Sequence, residues 1–131
     1  MTAGLSAANL ANAWLNTMRN TSAATFTAPT DIYLQCHTAD PGSAGTTAVS
    51  TGIATRSVAD WNAASAGSMA LTATVSFSAT GSDTITHLSA WSASTAGTFY
   101  YSCALSASKS VTNGDTLNVT ALTVALTPIA A

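Results

Sequence analysis

Apolar and polar residues alternate with a period of two along most of the chain from residue 25 onward. Such alternation is typical of a β-strand with one buried face, whereas a helix repeats every three to four residues. The clearest examples place Ile32, Leu34 and Cys36 on one face of 31–38, and Leu71, Ala73, Val75 and Phe77 on one face of 71–77. Turn-forming segments separate about seven such stretches, which predicts a mainly β fold, an antiparallel β-sandwich of jelly-roll-like or Ig-like type.

The first 20 residues follow a helical period instead. Apolar residues recur there at steps of three and four, namely Leu5, Ala8, Ala11, Trp14, Leu15 and Met18. This pattern predicts one N-terminal α-helix, near Leu5 to Arg19. Because a chain of 131 residues fits one domain, we predict a single domain over 1–131, with the helix in 1–20 and the β-sandwich in 25–128.

Local patterns in the second half of the chain are less uniform. Asn113-Gly114 stands between Lys109-Ser110-Val111 and Leu117-Asn118-Val119, and Asn-Gly favours the positive φ angles that a tight hairpin needs. We therefore predict a hairpin turn at this dipeptide. In the predicted strand 84–92, by contrast, Ile85, Leu88 and Trp91 do not share one face of a regular strand.

The chain has almost no charge, with three basic residues, five aspartates and no glutamate. Nucleic-acid binding requires clustered Lys and Arg side chains, and binding to a membrane surface requires a basic amphipathic segment. We therefore expect neither partner, and no apolar run approaches the roughly 20 residues of a spanning helix. A nearly neutral surface rich in Ala, Ser and Thr suits a protein that works inside an assembly, because copies of it repel one another little.

The residues that could perform chemistry are few and scattered. His37 and His87 lie in different predicted strands without a ligand-spaced neighbour, so they are either strand residues or part of a metal site that folding would assemble. Asp40, Asp83 and Asp115 stand in turns, where Asp accepts backbone hydrogen bonds. No serine stands in a Gly-x-Ser-x-Gly motif. We therefore expect no enzymatic activity, catalytic residue, cofactor or metal ion.

The two cysteines, Cys36 and Cys103, both fall in predicted strands. One disulfide between them is possible, but a core of this size does not require it. We expect buried free thiols. Residues 1–10 contain neither a basic nor an apolar signal segment, so we also expect no secretion signal.

Large side chains are the best candidates for an interface. Five aromatic residues, Tyr33, Trp61, Trp91, Tyr100 and Tyr101, either stack on sugars, anchor a partner or fill the core. The helical stripe that contains Trp14 is more often core than a binding surface. As candidate interface residues we select Leu5, Leu10, Trp14, Met18 and Trp61.

Several stretches over nearly the whole chain match, in order, those of one protein family. In the N-terminal half they are Gly4-Leu5-Ser6, Ala28-Pro29-Thr30-Asp31-Ile32-Tyr33-Leu34, His37-Thr38-Ala39-Asp40-Pro41-Gly42 and Thr55-Arg56-Ser57-Val58. In the C-terminal half they are Ile85-Thr86-His87-Leu88, Ser94-Thr95-Ala96-Gly97-Thr98, the stretch 105–116 and the alternating 122–126. With these stretches the chain resembles small virion proteins of tailed bacteriophages, labelled tail fibre, minor capsid or head decoration proteins. Trp91-Ser92-Ala93-Ser94 departs from the pattern, in which an Asp follows the aromatic residue.

The resemblance implies a non-enzymatic structural protein of the virion, assembled in the host bacterial cytoplasm. Because the chain is compact and has no fibrous segment, our leading hypothesis is a capsid decoration or minor capsid protein. The alternative is a tail fibre or tail-tip protein that binds host surface carbohydrate, and a third hypothesis is a small hydrolase or lectin outside any virion. The expected partners are the major capsid protein or other virion proteins, and copies of the chain itself, as a homo-oligomer and most simply a trimer.

Overall fold

The structure, a computed structural model, describes residues 3–19 and 27–127. A π-helical turn, Ala7–Ala11, leads into the helix α1, Asn12–Met18. The described residues then form the strands β1 Ile32–His37, β2 Ser57–Ala59, β3 Ser68–Ala70, β4 Val75–Ser78, β5 Asp83–Trp91, β6 Phe99–Val111, β7 Thr116–Val119 and β8 Thr123–Ala125. The predicted boundaries at residues 20, 25 and 128 lie outside the described residues.

The strands pair antiparallel in three sheets. The largest has the order β2-β1-β5-β6, and two smaller sheets pair β3 with β8 and β4 with β7. Side chains from the large sheet and from the β4-β7 pair share one hydrophobic core, which includes Leu34, Ile85, Val75, Phe77 and Val119. The structure thus confirms the predicted fold class, a mainly β antiparallel fold with one N-terminal helix.

The helix begins at Ser6, whose Oγ accepts a hydrogen bond from the backbone N–H of Asn9 at 3.3 Å. Ser, Thr, Asp and Asn are favoured at this position because their oxygen satisfies a free N–H of the first turn. Leu10 is buried, and Trp14, four residues later on the same face, packs against the core. The helix therefore attaches to the sheet through one narrow apolar stripe.

Two irregularities explain the mixed pattern of strand β5. The register with β6 shifts between Ile85 and His87, and again between Ala90 and Trp91. A β-bulge of this kind changes which residues face each side. Ile85 consequently belongs to the core cluster together with Leu88 and Ala90, although regular alternation would place Ile85 on the opposite face.

Asn113-Gly114 is a turn but not a hairpin turn, so this prediction was wrong. It joins β6 to β7, which pair with β5 and β4, two strands of different sheets. Gly114 has a φ of +94°, as in a type II turn, whereas the hairpin turn of type I′ needs positive φ at both central residues.

The hairpin geometry occurs instead at Ala66 and Gly67, with φ angles of +47° and +70° between the paired Ser65 and Ser68. The predicted strand face at 71–77 is also shorter than expected. β4 begins only at Val75, the three residues before it are exposed, and Leu71 forms an isolated bridge with Trp61.

Candidate functional site

Three of the five candidate interface residues line one apolar groove between the N-terminal helix and the sheets. This groove, of about 340 Å³, is called the helix groove below, and its lining includes Leu10, Trp14, Ile32, Trp61, Tyr101 and Val124. The residues come from the helix, from β1, β6 and β8, and from the segment after β2. Folding thus brings together positions that are more than 100 residues apart in the chain.

The floor of the helix groove contains two aromatic rings in contact. Trp61 and Tyr101 lie edge to face, with ring centroids 6.4 Å apart and an interplanar angle of 78°. This geometry is favourable because the positive edge of one ring meets the negative face of the other. Backbone pairing holds both rings in place, since Trp61 bridges to Leu71 and Tyr101 pairs with Ala90 in the central sheet.

Both aromatic residues have a buried polar atom without a hydrogen-bond partner among the described residues, the Nε1 of Trp61 and the hydroxyl oxygen of Tyr101. An unsatisfied buried donor or acceptor costs about 1–3 kcal/mol. Burial, and to a smaller extent the neighbouring Cys103, raises the pKa of the Tyr101 hydroxyl well above its usual value. The groove therefore holds a neutral hydroxyl and an indole N–H beneath an apolar surface.

The remaining two candidate residues, Leu5 and Met18, lie outside the groove. Met18 is 79% exposed and Leu15 is 59% exposed, and both lie in the last turn of the helix. We call Leu15 and Met18 the outer helix pair. The predicted helical stripe contains Leu15, but Leu15 is not among the selected candidate interface residues. A stripe of apolar residues does not by itself show which of its members are exposed to water.

Leu5 belongs to a short segment that extends the central sheet. It forms a β-bridge with Tyr101, and the Ser6 N–H donates to the carbonyl of Tyr100 at 2.6 Å. The Ser102 N–H donates to the carbonyl of Gly4 at 2.8 Å. This segment covers part of the outer edge of β6, an edge that would otherwise be open to pairing with another chain.

On the opposite side of the central sheet, four residues form a directed chain of hydrogen bonds. The Trp91 Nε1–H donates to Ser89 Oγ at 2.7 Å, and Ser89 Oγ lies 2.7 Å from His37 Nε2. His37 Nδ1 lies 2.8 Å from the carbonyl oxygen of Thr47. A carbonyl can only accept, so Nδ1 holds the proton and Ser89 donates to Nε2.

Arg56 covers the exposed side of this region. Its guanidinium lies 3.9 Å from the centroid of the Trp91 ring, a cation–π contact. The same group donates to Gln35 Oε1 and to the carbonyls of Ala93 and Ala96, at 2.7–3.1 Å. Trp91 is thereby enclosed, and Arg56 holds the turn that follows it.

A family model described as Podophage GP4 fiber I protein gp80 matches residues 5–127. The chain belongs to this family of phage fibre proteins. No curated protein matches it. The match spans the outer helix pair, the helix groove and the whole described sheet structure.

Membership confirms the resemblance to tailed-phage virion proteins and makes this chain a structural virion protein of the fibre type. It also corrects the leading hypothesis. The comparison gives no support to a capsid decoration or minor capsid protein, and the tail-fibre alternative fits better. The compact shape of the chain was therefore a poor guide, because a fibre can be built from compact subunits as well as from fibrous segments.

Three carboxylates of this fibre protein, those of Asp40, Asp83 and Asp115, accept hydrogen bonds from loop residues. Asp83 Oδ2 accepts hydrogen bonds from Ser50 Oγ at 2.7 Å and from the Gly52 N–H at 2.8 Å, and these bonds lower the pKa of Asp83. Asp115 Oδ2 accepts from the N–H and hydroxyl of Thr112, which lowers the pKa of Asp115. Asp40 accepts from the Gly42 N–H in the same way.

Cys36 and Cys103 are free thiols, and burial raises the pKa of Cys36 to about 12. Among residues 3–19 and 27–127, no three His, Cys or Asp side chains are grouped closely enough to hold a metal ion. Within the same part of the chain, no helix has the length and apolar character needed to cross a bilayer.

Proposed function

We propose that this fibre protein is a non-enzymatic structural subunit of a phage tail fibre, and that the helix groove and the outer helix pair join it to neighbouring fibre subunits. The observation that supports this proposal is the exposure of Leu15 and Met18 beside an apolar groove. Large apolar side chains scattered singly over a surface are ordinary, but an apolar patch beside an apolar groove is characteristic of an interaction site.

Burial of the outer helix pair against a protein partner would be favourable in free energy. Complete burial of a Leu or Met side chain is worth about 1.5–3 kcal/mol. The chain has only three basic and five acidic residues, so little electrostatic repulsion opposes close packing with another nearly neutral subunit. The helix that carries the outer helix pair is only seven residues long in its α-helical part. Leu10 and Trp14 hold it against the hydrophobic core.

A host carbohydrate fits these surfaces less well. Of the five aromatic residues with the potential to stack on sugar rings, Trp91, Tyr100 and Tyr101 are at most 6% exposed. Only Tyr33 and Trp61 are partly accessible. The helix groove is lined by apolar and aromatic side chains and offers only two polar side-chain atoms without a partner among the described residues, the Trp61 Nε1 and the Tyr101 hydroxyl. The other hydroxyls of a sugar ring buried there would lack hydrogen-bond partners, which costs free energy.

The absence of enzymatic activity in this proposal rests on how the reactive side chains are used. Both ring nitrogens of His37 are engaged, by Ser89 and by the carbonyl of Thr47. Asp83 is occupied by a hydroxyl and a backbone N–H. The raised pKa of Cys36 keeps it a neutral thiol, which is a poor nucleophile. The hydrogen bonds of His37 and Asp83 and the neutral state of Cys36 thus make these three groups poor candidates for catalysis.

The test is a phage that encodes this chain with Leu15→Glu and Met18→Glu together. Both side chains are exposed, so the variant should fold, and we expect virions without the protein on their tails, as seen by antibody labelling in electron microscopy. Val58→Glu is the matched control, because Val58 is also an exposed apolar residue, in β2. Labelling of wild-type virions over the capsid instead of the tail would overturn the proposal, as would normal tail labelling of the double variant.

A further inference from the structure

We infer that the free edge of strand β6 binds an extended segment of another virion polypeptide, which pairs with β6 as an additional strand. The binding surface is a cleft of about 180 Å³ between β6 and β7, called the edge cleft below. Its lining includes Leu105, Ala107, Lys109, Leu117 and Val119, and it shares no residue with the helix groove. The inference therefore goes beyond the proposed function, because it concerns a second surface and a second partner.

The backbone of β6 is unpaired where it borders the edge cleft. The register with β5 jumps from Ala104 to Lys109, so residues 105–108 of β6 have only one residue of β5 opposite them. On the other edge of β6, the described residues offer a partner only where the segment 4–6 pairs with Tyr101 and its neighbours. Unpaired backbone groups bind water or a further chain. The edge that accepts the segment 4–6 thus continues along the cleft without a described strand beside it.

Strand β7 forms the second rim of the edge cleft, and its outer edge is free as well. In the described part of the chain, β7 pairs with β4 alone. The cleft therefore lies between two strands that belong to different sheets. A segment that enters it in an extended conformation meets backbone donors and acceptors on both sides, which is the arrangement required for strand addition.

The side chains that line the edge cleft determine which segment fits. Leu105 and Leu117 pack against the hydrophobic core, and Val119 is buried. Residues 106–108 are Ser, Ala and Ser, all exposed, and such small side chains leave the backbone of β6 accessible. Because alternate residues of a strand face opposite sides, the added strand directs every second side chain to the apolar lining. The segment that fits therefore has apolar residues at alternate positions.

Charge and size restrict the partner further. Among the described residues, Lys109 is the one charged side chain in the lining, and it is exposed. A lysine on an edge strand discourages pairing with an uncharged strand, so the segment that fits carries an acidic residue opposite Lys109. The cleft volume of about 180 Å³ is below the roughly 300–1,000 Å³ of small-molecule sites, which argues against a compact ligand. An extended segment of about five residues covers 105–109.

A second copy of this chain is a poor occupant of the edge cleft. Each strand in the described residues is already hydrogen-bonded within a sheet, so none of them is a free segment. Pairing between two copies would require a whole sheet edge, with its attached strands, to enter a cleft of this volume. The partner is therefore a different polypeptide of the virion, in which the segment is not held in a sheet.

Amide hydrogen exchange tests whether this part of β6 becomes paired, by comparing the purified full chain with virions that carry it. We expect the N–H groups of 105–108 to exchange about 100-fold more slowly in virions, because a paired amide exchanges only when the added strand opens. The exposed turn 94–97 is the internal control and should exchange equally in both samples. Equal exchange of 105–108 in both samples, or protection already present in the concentrated purified chain, would overturn the inference.

Proline substitutions test the same pairing without breaking a bond to β5, since 105–108 has no paired residue there. Ala107→Pro and Ser108→Pro each remove one backbone N–H. Neighbouring N–H groups of a strand point to opposite edges, so one of these two faces the added strand. We expect one of the two variants to melt near the wild-type temperature and yet to be absent from virions. Ala107→Thr keeps the N–H and should be incorporated normally, and incorporation of both proline variants at the wild-type level would contradict the inference.

The charge at residue 109 supplies an arm that does not depend on tolerance of proline. Lys109→Glu should lower incorporation about tenfold, because it repels the acidic residue of the segment, whereas Lys109→Arg should keep it. Equal incorporation of these two variants would count against the inference. If all cleft variants enter virions normally while Leu15→Glu with Met18→Glu does not, the edge-cleft inference fails and the proposed function stands. If the cleft variants are lost while the double helix variant is retained, the proposed function fails and the edge-cleft inference stands.

Discussion

The Nε2 atom of His37 accepts a hydrogen bond from the hydroxyl of Ser89, at a distance of 2.7 Å. The same Ser89 oxygen accepts from the Nε1–H of Trp91. The Ser89 hydroxyl therefore provides a hydrogen-bond partner for two larger side chains, those of His37 and Trp91. Both Ser89 and His37 are almost completely buried, so water cannot replace either bond.

Ser89→Ala should destabilise the protein by about 2–6 kcal/mol, because it leaves two buried polar atoms unsatisfied at about 1–3 kcal/mol each. Urea denaturation followed by tryptophan fluorescence measures the change. Ser106→Ala, at an exposed position of β6, is the control and should shift the midpoint little. A loss below about 0.5 kcal/mol for Ser89→Ala would mean that the network is not maintained in solution.

The protein should lose stability when the pH falls below the ordinary range of histidine. Burial lowers the pKa of His37, and the nearby charges of His87 and Arg56 act in the same direction, against the hydrogen bond to Thr47. Because the folded state binds this proton less readily than the unfolded state, the contribution of His37 is complete above about pH 6.5 and decreases as the pH falls through that value towards the folded pKa.

Melting temperatures measured between about pH 8 and pH 5 test this pH dependence. His37→Gln should give a flatter profile over that interval, at lower overall stability. His87→Gln removes the neighbouring imidazole and keeps the buried one, so its profile should still slope. Equal slopes for wild type and His37→Gln would assign the effect to another group. Asp83 and Asp115 do not interfere, because their lowered pKa values place their transition below about pH 3.8.

Gly45→Ala should be strongly destabilising. A Cβ at this position would lie 2.4 Å from Cδ2 of Phe99, and Gly45 has a φ of +73°. Overpacking of this kind costs about 1–3 kcal/mol, and the left-handed backbone adds about 1–2 kcal/mol for any residue with a Cβ. Gly4→Ala is the control, because its Cβ would meet no atom within 4 Å. Similar stability of the two variants, by thermal denaturation, would show that the loop over Phe99 shifts freely.

Ala66→Asn should stabilise the protein. Ala66 occupies a left-handed conformation in the hairpin turn with Gly67, and Asn tolerates this conformation better than Ala does. The expected gain is about 0.5–1 kcal/mol, because Asn-Gly is the preferred dipeptide of this turn type. Asn113→Ala should change little, since Asn113 does not have a positive φ. A destabilised Ala66→Asn variant would argue against the hairpin at 65–68.

Much of the fold follows from local patterns. The alternation at 31–38 correctly predicts β1, because a strand buried on one face requires period two. The helical stripe likewise predicts the helix, and with it Trp14 as a residue that packs against the core. Leu10, which is not part of that stripe, is buried as well. The turn roles of Asp40 and Asp115 also follow from their local sequence. Asp83, which the sequence places in a turn, is instead the first residue of β5 and accepts hydrogen bonds from the distant Ser50 and Gly52.

What the sequence could not supply is the pairing of distant segments. Asn113-Gly114 indicates a turn, but whether the flanking strands pair depends on β4 and β5, which lie far away in the chain. The bulge at Ile85 arises from a mismatch with β6, which no local period reveals. The helix groove likewise depends on packing. The local sequence around Trp61 predicts only an irregular connection, and its contact with Tyr101 forms between segments that are distant in the chain.

The backbone bonds that tie Gly4 and Ser6 to the strand at 100–102 join the start of the chain to a segment near its end. During synthesis, the N-terminal segment has no docking surface until residues 100–102 have left the ribosome. Until then neither wall of the helix groove is in place, and the outer helix pair is not held in a fixed direction. Interrupted chains that stop before this strand would lack both surfaces needed to join a neighbour. In the proposed fibre, this connection would therefore restrict assembly to chains synthesised past residues 100–102.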